Sequence, residues 1–281
     1  MILLSIFLFQ GEAKIEKLII TNCAADSRKH PGVPKRLQTA DTLASEIKAS
    51  YEAGASIAHI HGIPMQLESW EPFTNAVREA CPEILIQFGI AAMGLPGRKK
   101  IVHLKPDMAS IALGSHDFAF VDADLLVEHS RQEIEDQVRL FNDNGVHPEF
   151  ECFNLGHLWN LEWLLEKDLV KSPVVLTIFF GWPGGFWSPA TLKELLHRIE
   201  HLPDNSVFSV SAAGLSNVAL ETVSIIQGGH VRVGTEDEPY YTKGVLAEDN
   251  AQLVSRMVRI GKELGREPAT VEETKKILGL N

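Results

Sequence analysis

Short apolar runs rich in β-branched residues alternate with longer amphipathic stretches along the whole chain. The short runs predict strands, and apolar positions that recur every three to four residues predict helices. Eight strands are predicted, at residues 17–21, 56–60, 84–88, 108–113, 149–153, 174–180, 207–211 and 230–233. Helices are predicted at 39–53, 72–80, 125–144, 158–167, 189–201, 217–227, 250–264 and 271–278, whereas residues 94–103 have only a weak helical pattern.

Eight βα units without an interrupting linker favour a single (β/α)₈ TIM barrel of the α/β class. The 281 residues of the chain suit such a barrel, which typically needs about 250. An open dinucleotide-binding sheet is disfavoured, because the first strand leads into Asn22-Cys23-Ala24-Ala25 and not into a glycine-rich turn. We therefore expect residues 1–16 to form an apolar N-terminal extension and residues 17–281 to form one barrel domain with a C-terminal helix.

The amino-acid composition limits which binding partners and which cellular compartment are expected. The 26 Lys and Arg against 37 Asp and Glu give a net charge of −11, which repels phosphate backbones, so no nucleic-acid partner is expected. The three cysteines are widely spaced without a CxxC pair, as in a cytoplasmic protein. Residues 1–9 are apolar but lack a basic region and are too short to span a membrane. We interpret them as a segment packed under the barrel or at a subunit interface, or as the product of a start codon assigned too early, rather than as a secretory signal.

Two histidines, His59 and His61, lie at the end of the second predicted strand. Side chains two apart on a strand share a face, so both imidazoles are expected at the carboxyl-terminal mouth of the barrel, where such barrels hold their active sites. A pair of this kind can bind one metal ion, or it can be a hydrogen-bonded structural pair. The pattern alone leaves both interpretations open.

An acidic run, Glu236-Asp237-Glu238, follows the eighth predicted strand. Counting by twos from Arg232 places Glu236 on the same face as that arginine. In a closed barrel strand eight lies beside strand one and strand one beside strand two, so Glu236 is a candidate third ligand for the two histidines. Two histidines and one carboxylate suit catalytic zinc and also non-haem iron. A solvated surface loop is the alternative for an acidic run by itself.

Two other strand ends have candidate polar groups. Glu149 and Glu151 share one face of the fifth strand, where buried carboxylates need a cation, and Arg232 is the candidate. A structural ion pair and a catalytic group both fit this pattern. Gly184 lies in a glycine-rich loop after strand six, whose backbone N–H groups can receive a substrate anion, although an ordinary tight turn also explains the loop.

Several blocks between residue 18 and the end are typical of one family: EAGAS at 52–56 leading into His59 and His61, LKPDMAS at 104–110, PGG at 183–185, GGHVRVGTED at 228–237 and LAEDNAQLV at 246–254. On these residues the chain resembles the beta-keto acid cleavage enzymes. The resemblance implies a zinc-dependent (β/α)₈ barrel in which a β-keto acid and acetyl-CoA yield acetoacetate and a new CoA thioester. It also implies a homo-oligomer, as a dimer or a tetramer.

Position by position, the resemblance assigns roles to six residues. It implies that His59, His61 and Glu236 hold the divalent metal, zinc or another ion. Asp237 is then the base, assisted by Arg232. Ser110, where the family often has threonine, is then a substrate contact.

Four loops on the substrate side depart from the family pattern. The loop after strand one is shorter, and only Asp26 stands near the position of a glutamate that reaches the active site in the family. The Ser-Thr-Gly-Gly run that binds the substrate carboxylate is replaced by residues 89–92, the arginine after the histidine pair by residues 62–63, and the loop after strand seven by residues 213–217. We therefore expect Asp26 and Gly184 to contact substrate in a divergent member, whose substrate differs from the usual short β-keto acid.

Three functions are compatible with these residues. The first is the metal-dependent acyltransferase that cleaves a C–C bond, with a small-molecule keto acid and a CoA thioester as partners. The second is a metal-dependent lyase or hydrolase that acts on a keto acid without CoA. The third is a metal- or ligand-binding paralogue without turnover.

Overall fold

A computed structural model describes residues 16–24, 39–63, 66–120, 123–214 and 216–280 of the chain. Its strands are, in chain order, β1 (Ile20–Cys23), β2 (Ile57–Ile60), β3 (Leu85–Phe88), β4 (Met108–Ala112), β5 (His116–Phe120), β6 (Ala123–Val127), β7 (His147–Cys152), β8 (Val174–Phe180), β9 (Ser206–Ala212), β10 (His230–Val233), β11 (Tyr240–Thr242) and β12 (Val245–Leu246). Its α-helices are α1 (Ala40–Glu52), α2 (Trp70–Ala80), α3 (Leu95–Ile101), α4 (Arg131–Asn144), α5 (Leu155–Glu166), α6 (Leu192–Ile199), α7 (Asn217–Ile226), α8 (Asn250–Glu263) and α9 (Val271–Leu278).

Eight of the strands close into a parallel barrel in the order β1-β10-β9-β8-β7-β4-β3-β2. Each barrel strand corresponds to one predicted from the sequence, so the predicted (β/α)₈ TIM barrel is confirmed. The pairing of β1 with both β10 and β2 closes the ring, with Thr21 opposite Arg232 on one side and Cys23 opposite His59 on the other. This closure brings residues more than 170 positions apart in sequence to one part of the mouth.

Capping side chains determine where several helices begin. Thr39 caps α1, because its side chain accepts a hydrogen bond from the Thr42 amide while the Thr42 hydroxyl accepts one from the Thr39 amide. Ser130 caps α4 with a single hydrogen bond, which its hydroxyl accepts from the Glu133 amide. Between the helices and the sheet, Ile47, Val77 and Leu161 are fully buried, and each contributes roughly 1.5–3 kcal/mol to the stability of the fold.

The prediction of a helix from residue 125 was wrong at its beginning. Residues 123–127 form β6, which pairs with β5 in an antiparallel hairpin, and the helix begins at Arg131. The apolar run in β6 satisfies its backbone by strand pairing, and the Ser130 cap stops α4 from extending backwards. A second hairpin, β11–β12, also lies outside the predicted elements.

The segment with a weak helical pattern does form a helix, α3, contrary to expectation. Arg98 on α3 is fully buried, and its guanidinium donates to the backbone oxygens of Ile90, Met93 and Ser110. These hydrogen bonds fix the helix to β4 and to the loop after β3, which compensates for a sequence of low helical propensity.

The predicted boundary before residue 17 adjoins residues that lie outside the described part of the chain, as do residues 1–9, so their roles stay predictions. Within the described residues, no helix is both long enough and apolar enough to cross a membrane.

Candidate active site

His59 and His61 meet at the mouth of the barrel, at the carboxyl end of β2. The Nε2 atoms of the two rings lie 3.1 Å apart, which places both side chains on the inward face, as the strand periodicity requires. His59 is buried, whereas the side chain of His61 is 30% exposed. The pair is therefore open to the mouth on the side of His61.

Glu236 reaches the histidines from the turn after β10. Its Oε1 lies 3.1 Å from Nε2 of His61, and its Oε2 lies 3.9 Å from Nε2 of His59. The turn passes close to β1, and a Cβ at Gly234 would overlap the carbonyl of Cys23, so glycine is required there. The three side chains offer ligand atoms that all lie within 4.8 Å of one another.

This donor set fits a divalent metal. Two nitrogen ligands on a tetrahedral zinc lie roughly 3.3 Å apart when each Zn–N distance is 2.0–2.1 Å, close to the 3.1 Å between the imidazole nitrogens. Nδ1 of His59 lies 3.0 Å from Oε1 of Gln87 on β3. An amide oxygen accepts a hydrogen bond and cannot donate one, so Gln87 favours the tautomer with the proton on Nδ1. The lone pair on Nε2 then faces a terminal nitrogen of Arg232 at 3.2 Å and is the one suited to a metal.

Arg232 and Asp237 form a bidentate ion pair beside His59 and Glu236. Nε of Arg232 donates to Oδ2 of Asp237 at 2.8 Å, and a terminal nitrogen donates to Oδ1 at 3.1 Å. The same terminal nitrogen lies 3.2 Å from Oε1 of Glu236. Ser211 and Cys23 also donate to Oδ2 of Asp237, at 2.7 and 3.0 Å. The pair is thus oriented from three strands, β1, β9 and β10.

Burial dominates the electrostatics of the site. It lowers the pKa of His59 well below its usual range, and the positive charge of Arg232 adds to this effect, so His59 is neutral and suited to bind a metal. Burial also disfavours the charge on Arg232, but Asp237 and the other neighbouring acidic groups outweigh it and raise the Arg232 pKa well above its usual value. Arg232 therefore stays a cation inside the barrel.

Glu149 and Glu151 lie inward on β7, below Arg232. Burial raises the pKa of both carboxyls, and their mutual repulsion raises that of Glu151 further. A terminal nitrogen of Arg232 lies 3.7 Å from Glu151. Arg232 therefore contacts Glu151 as the strand parity predicted, in addition to Asp237 and Glu236.

The comparison with known families identifies the chain. A model of the beta-keto acid cleavage enzyme family matches residues 17–280. The chain belongs to this family. It is 36% identical to the 3-keto-5-aminohexanoate cleavage enzyme of Acetoanaerobium sticklandii, over 95% of this chain and 100% of that protein. It is 27% identical to the 3-dehydrocarnitine:acetyl-CoA trimethylamine transferase of Rhizobium meliloti, over 89% of this chain and 90% of that protein. The resemblance inferred from the sequence blocks is confirmed.

Solved structures support the same fold. The apo structure of ObcA matches with a TM-score of 0.70 and 16% sequence identity, covering 86% of this chain and 64% of that one. At 16% sequence identity, this structural match supports a shared barrel fold only.

Of the three residues predicted to contact substrate, the structure describes two, Ser110 and Gly184. Ser110 on β4 is fully buried, and its hydroxyl accepts a hydrogen bond from the Ile90 amide at 2.9 Å, which positions the loop after β3. Gly184 lies in the loop after β8, with a φ of +152°. Asp26 lies outside the described residues. Substrate contact by each of the three stays a prediction for this beta-keto acid cleavage enzyme family member.

Sequence reasoning missed three polar side chains that orient the site: Cys23, Gln87 and Ser211. Each lies on the inward face of its strand near the carboxyl end, so strand parity carried the signal that could have found them. Gln87 is the clearest case, as a lone amide within the apolar strand β3. Gln87 can orient His59 because the pairing of β2 with β3 places the two residues opposite each other.

Proposed function

We propose that this protein is a divalent-metal-dependent enzyme, with zinc as the expected ion. It transfers the acyl group of a β-keto acid to the CoA of acetyl-CoA, and the acetyl group leaves as acetoacetate. The observation that supports this proposal is the grouping of His59, His61 and Glu236 next to the Arg232–Asp237 ion pair in a chain of the beta-keto acid cleavage enzyme family. The named acetyl-CoA-dependent relative supports acetyl-CoA as co-substrate.

The proposed reaction converts R–CO–CH₂–COO⁻ and CH₃–CO–S–CoA into R–CO–S–CoA and CH₃–CO–CH₂–COO⁻. The C2–C3 bond of the keto acid and the C–S bond of acetyl-CoA break. A new C–C bond joins C2 to the acetyl carbon, and a new C–S bond joins the CoA sulfur to the former C3. A base removes a proton from C2 and returns it after cleavage, so that atoms and charge balance.

His59, His61 and Glu236 would hold the metal. When bound, it supplies Lewis-acid polarisation of the keto oxygen and stabilises developing enolate charge. The protein side chains then divide the remaining work. Arg232, buried and permanently charged, stabilises negative charge at the same centre. Asp237 exchanges the C2 proton through Oδ1, which has one donor, Arg232, among the described contacts, whereas Oδ2 has three.

The test is a product assay on the zinc-loaded protein with acetyl-CoA and a panel of β-keto acids. Mass spectrometry should detect acetoacetate and the matching acyl-CoA in equal amounts. Asp237→Asn should lose activity while it keeps its zinc, and Asp136→Asn, on the outer helix α4, should leave activity unchanged. Turnover that does not require acetyl-CoA would instead support a lyase or hydrolase. Tight metal binding without product from any acid would support a binding paralogue.

The remaining expectations from the sequence belong to this proposal. We expect a homo-oligomer, as a dimer or tetramer, located in the cytoplasm, with no nucleic-acid or membrane partner. Light scattering on the purified full-length chain tests the oligomeric state, and a monomer at micromolar concentration would contradict it.

A further inference from the structure

Five aromatic side chains form one cluster at the carboxyl ends of β7 and β8. Phe153, Phe179 and Trp182 are buried in it, whereas Phe118 and Trp187 are partly exposed. We call the five the aromatic wall: Phe118 on β5, Phe153 after β7, Phe179 on β8, and Trp182 and Trp187 in the loop after β8. Ring centroids are 5.4 Å apart for Phe153 and Phe179, 4.3 Å for Phe153 and Trp187, and 5.7 Å for Trp182 and Trp187. Phe118 lies 5.8 Å from Trp187. The rings are therefore in continuous contact.

The wall begins at the proposed reaction centre. The guanidinium carbon of Arg232 lies 4.9 Å from the centroid of the Phe179 ring. In the closed strand order, β8 lies opposite β2 and β7 lies opposite β1. Phe179 and Phe153 share the inward parity of Thr177 and Glu151 on those strands. A molecule anchored beside the histidines and Arg232 therefore reaches the aromatic wall at Phe179.

The wall is held in a fixed position by Asp117 on β5. The carboxylate of Asp117 accepts hydrogen bonds from the backbone amides of Gly185 and Phe186, at 2.6 and 3.1 Å. Its backbone oxygen accepts one from the indole nitrogen of Trp187 at 2.5 Å. These contacts join the β5–β6 hairpin to the loop after β8, so Trp187 is preorganised and loses little entropy when it contacts a ligand.

The chemistry of the wall favours a neutral group over a cation. Cations bind to open ring faces, but the face of Phe179 is already occupied by Arg232. Trp187 meets Phe153 and Trp182 at interplanar angles of 40° and 30°, so these neighbours cover ring-face area. A ligand then meets ring edges, which carry the positive part of the aromatic quadrupole. These edges disfavour a positive charge, whereas the charge of Arg232 is balanced by Asp237 and Glu236.

We propose that the aromatic wall binds the distal group R of the β-keto acid, and that R is neutral and apolar, such as a phenyl ring or a branched alkyl chain. The inference rests on the proposed function, because that function places the keto and carboxylate groups at the metal and Arg232. A neutral R separates this chain from its relative named for a trimethylamine transfer.

The test measures binding of three acids to the zinc-loaded protein by calorimetry, in the absence of acetyl-CoA. The acids share the carboxylate and keto groups and differ in R: 3-oxo-3-phenylpropanoate (phenyl), 3-oxopentanoate (ethyl) and 3-dehydrocarnitine (with a trimethylammonium group). The phenyl compound should bind at least about tenfold more tightly than the ethyl compound. Trp187→Ala should reduce this preference roughly two- to tenfold, and Trp187→Phe should restore most of it. Trp159→Ala, at an indole 67% exposed on α5, is the matched control and should leave the preference unchanged.

Several results would overturn the inference: equal binding of the phenyl and ethyl compounds, tightest binding of the trimethylammonium compound, no binding of any acid, or the same effect of Trp187→Ala and Trp159→Ala. The outcomes for the two proposals are distinguishable. If the phenyl compound binds preferentially through Trp187 but no acetoacetate forms with acetyl-CoA, the aromatic wall stands and the proposed reaction fails. If all acids react without regard to R, the reaction stands and the wall inference fails.

Discussion

The hydrogen bond between His59 and Gln87 provides a test of the proposed metal centre. Gln87→Met keeps the length of the side chain and removes the acceptor that lies 3.0 Å from Nδ1 of His59. The ring then loses the group that selects its tautomer and its orientation. We expect the zinc affinity of the protein to fall 10- to 100-fold, as is typical when such a partner of a metal-binding histidine is removed.

The magnitude follows from the burial of both groups. His59 is 1% exposed and Gln87 is 3% exposed, so water cannot readily replace the lost acceptor. An N–H left without a partner in such surroundings costs about 1–3 kcal/mol. A cost of about 2 kcal/mol in the metal-bound state corresponds to a Kd increased roughly thirtyfold.

The assay is an equilibrium competition for zinc between the protein and a chromophoric chelator. Gln137→Met is the matched control, because Gln137 is also fully buried, on α4, with Glu133 as its hydrogen-bond partner. Circular dichroism should show both variants folded. An unchanged Kd for Gln87→Met, or equal weakening by the two substitutions, would refute the role assigned to Gln87.

Three further predictions concern stability. Arg232→Met leaves buried carboxylates without their cation, so the free energy of unfolding in urea should fall by about 3–5 kcal/mol. The control is Arg139→Met, which removes the ion pair with Glu135 at an arginine that is 55% exposed, and it should cost under about 1 kcal/mol. Equal losses for the two variants would contradict this prediction. Burial and Arg266 lower the pKa of His230 to about 3. Below about pH 6.5 the His230 imidazole takes up a proton in the unfolded chain but not in the folded one, so the free energy of unfolding decreases as the pH falls from 6.5 toward 3. In urea titrations across this range, His230→Gln should reduce that decrease by up to roughly 4–5 kcal/mol. An unchanged pH dependence would be evidence against the assigned role of His230. Gly184→Ala places a Cβ against the Asp117 carboxylate at a φ of +152°, and it should lower the free energy of unfolding by about 1–3 kcal/mol. Gly185→Ala, whose added Cβ would be 3.7 Å from that carboxylate, should lower the free energy of unfolding much less. A larger loss for Gly185→Ala than for Gly184→Ala would show that Asp117 does not hold the loop as described.

The barrel and the grouping of His59, His61 and Glu236 were predictable from strand alternation and barrel closure. Alternation along β2 places His59 and His61 on one face, and closure of eight strands brings Glu236 to them. Neither step needs knowledge of side-chain packing, only strand parity and a closed ring. The contact of Arg232 with Glu151 followed from the same parity.

The parts that were not predictable depend on tertiary contacts. The helix α3 is fixed by Arg98 through carbonyls in β4 and in the loop after β3, and nothing within the segment itself indicates this. The β5–β6 hairpin was mistaken for the start of a helix, since its apolar residues fit either period over so short a run. Its position becomes definite only when Asp117 meets the loop after β8.

The attachment of the hairpin has an evolutionary consequence. The hairpin lies between β4 and α4, outside the barrel's own hydrogen-bond ladder, where β4 pairs directly with β7. Mutations, insertions or deletions there can reshape one side of the mouth without shifting the register of any barrel strand. His59, His61 and Glu236 are carried by β2 and by the turn after β10, on the opposite side. Selection can therefore change the shape of the pocket in this protein while the proposed metal-binding side is inherited unaltered.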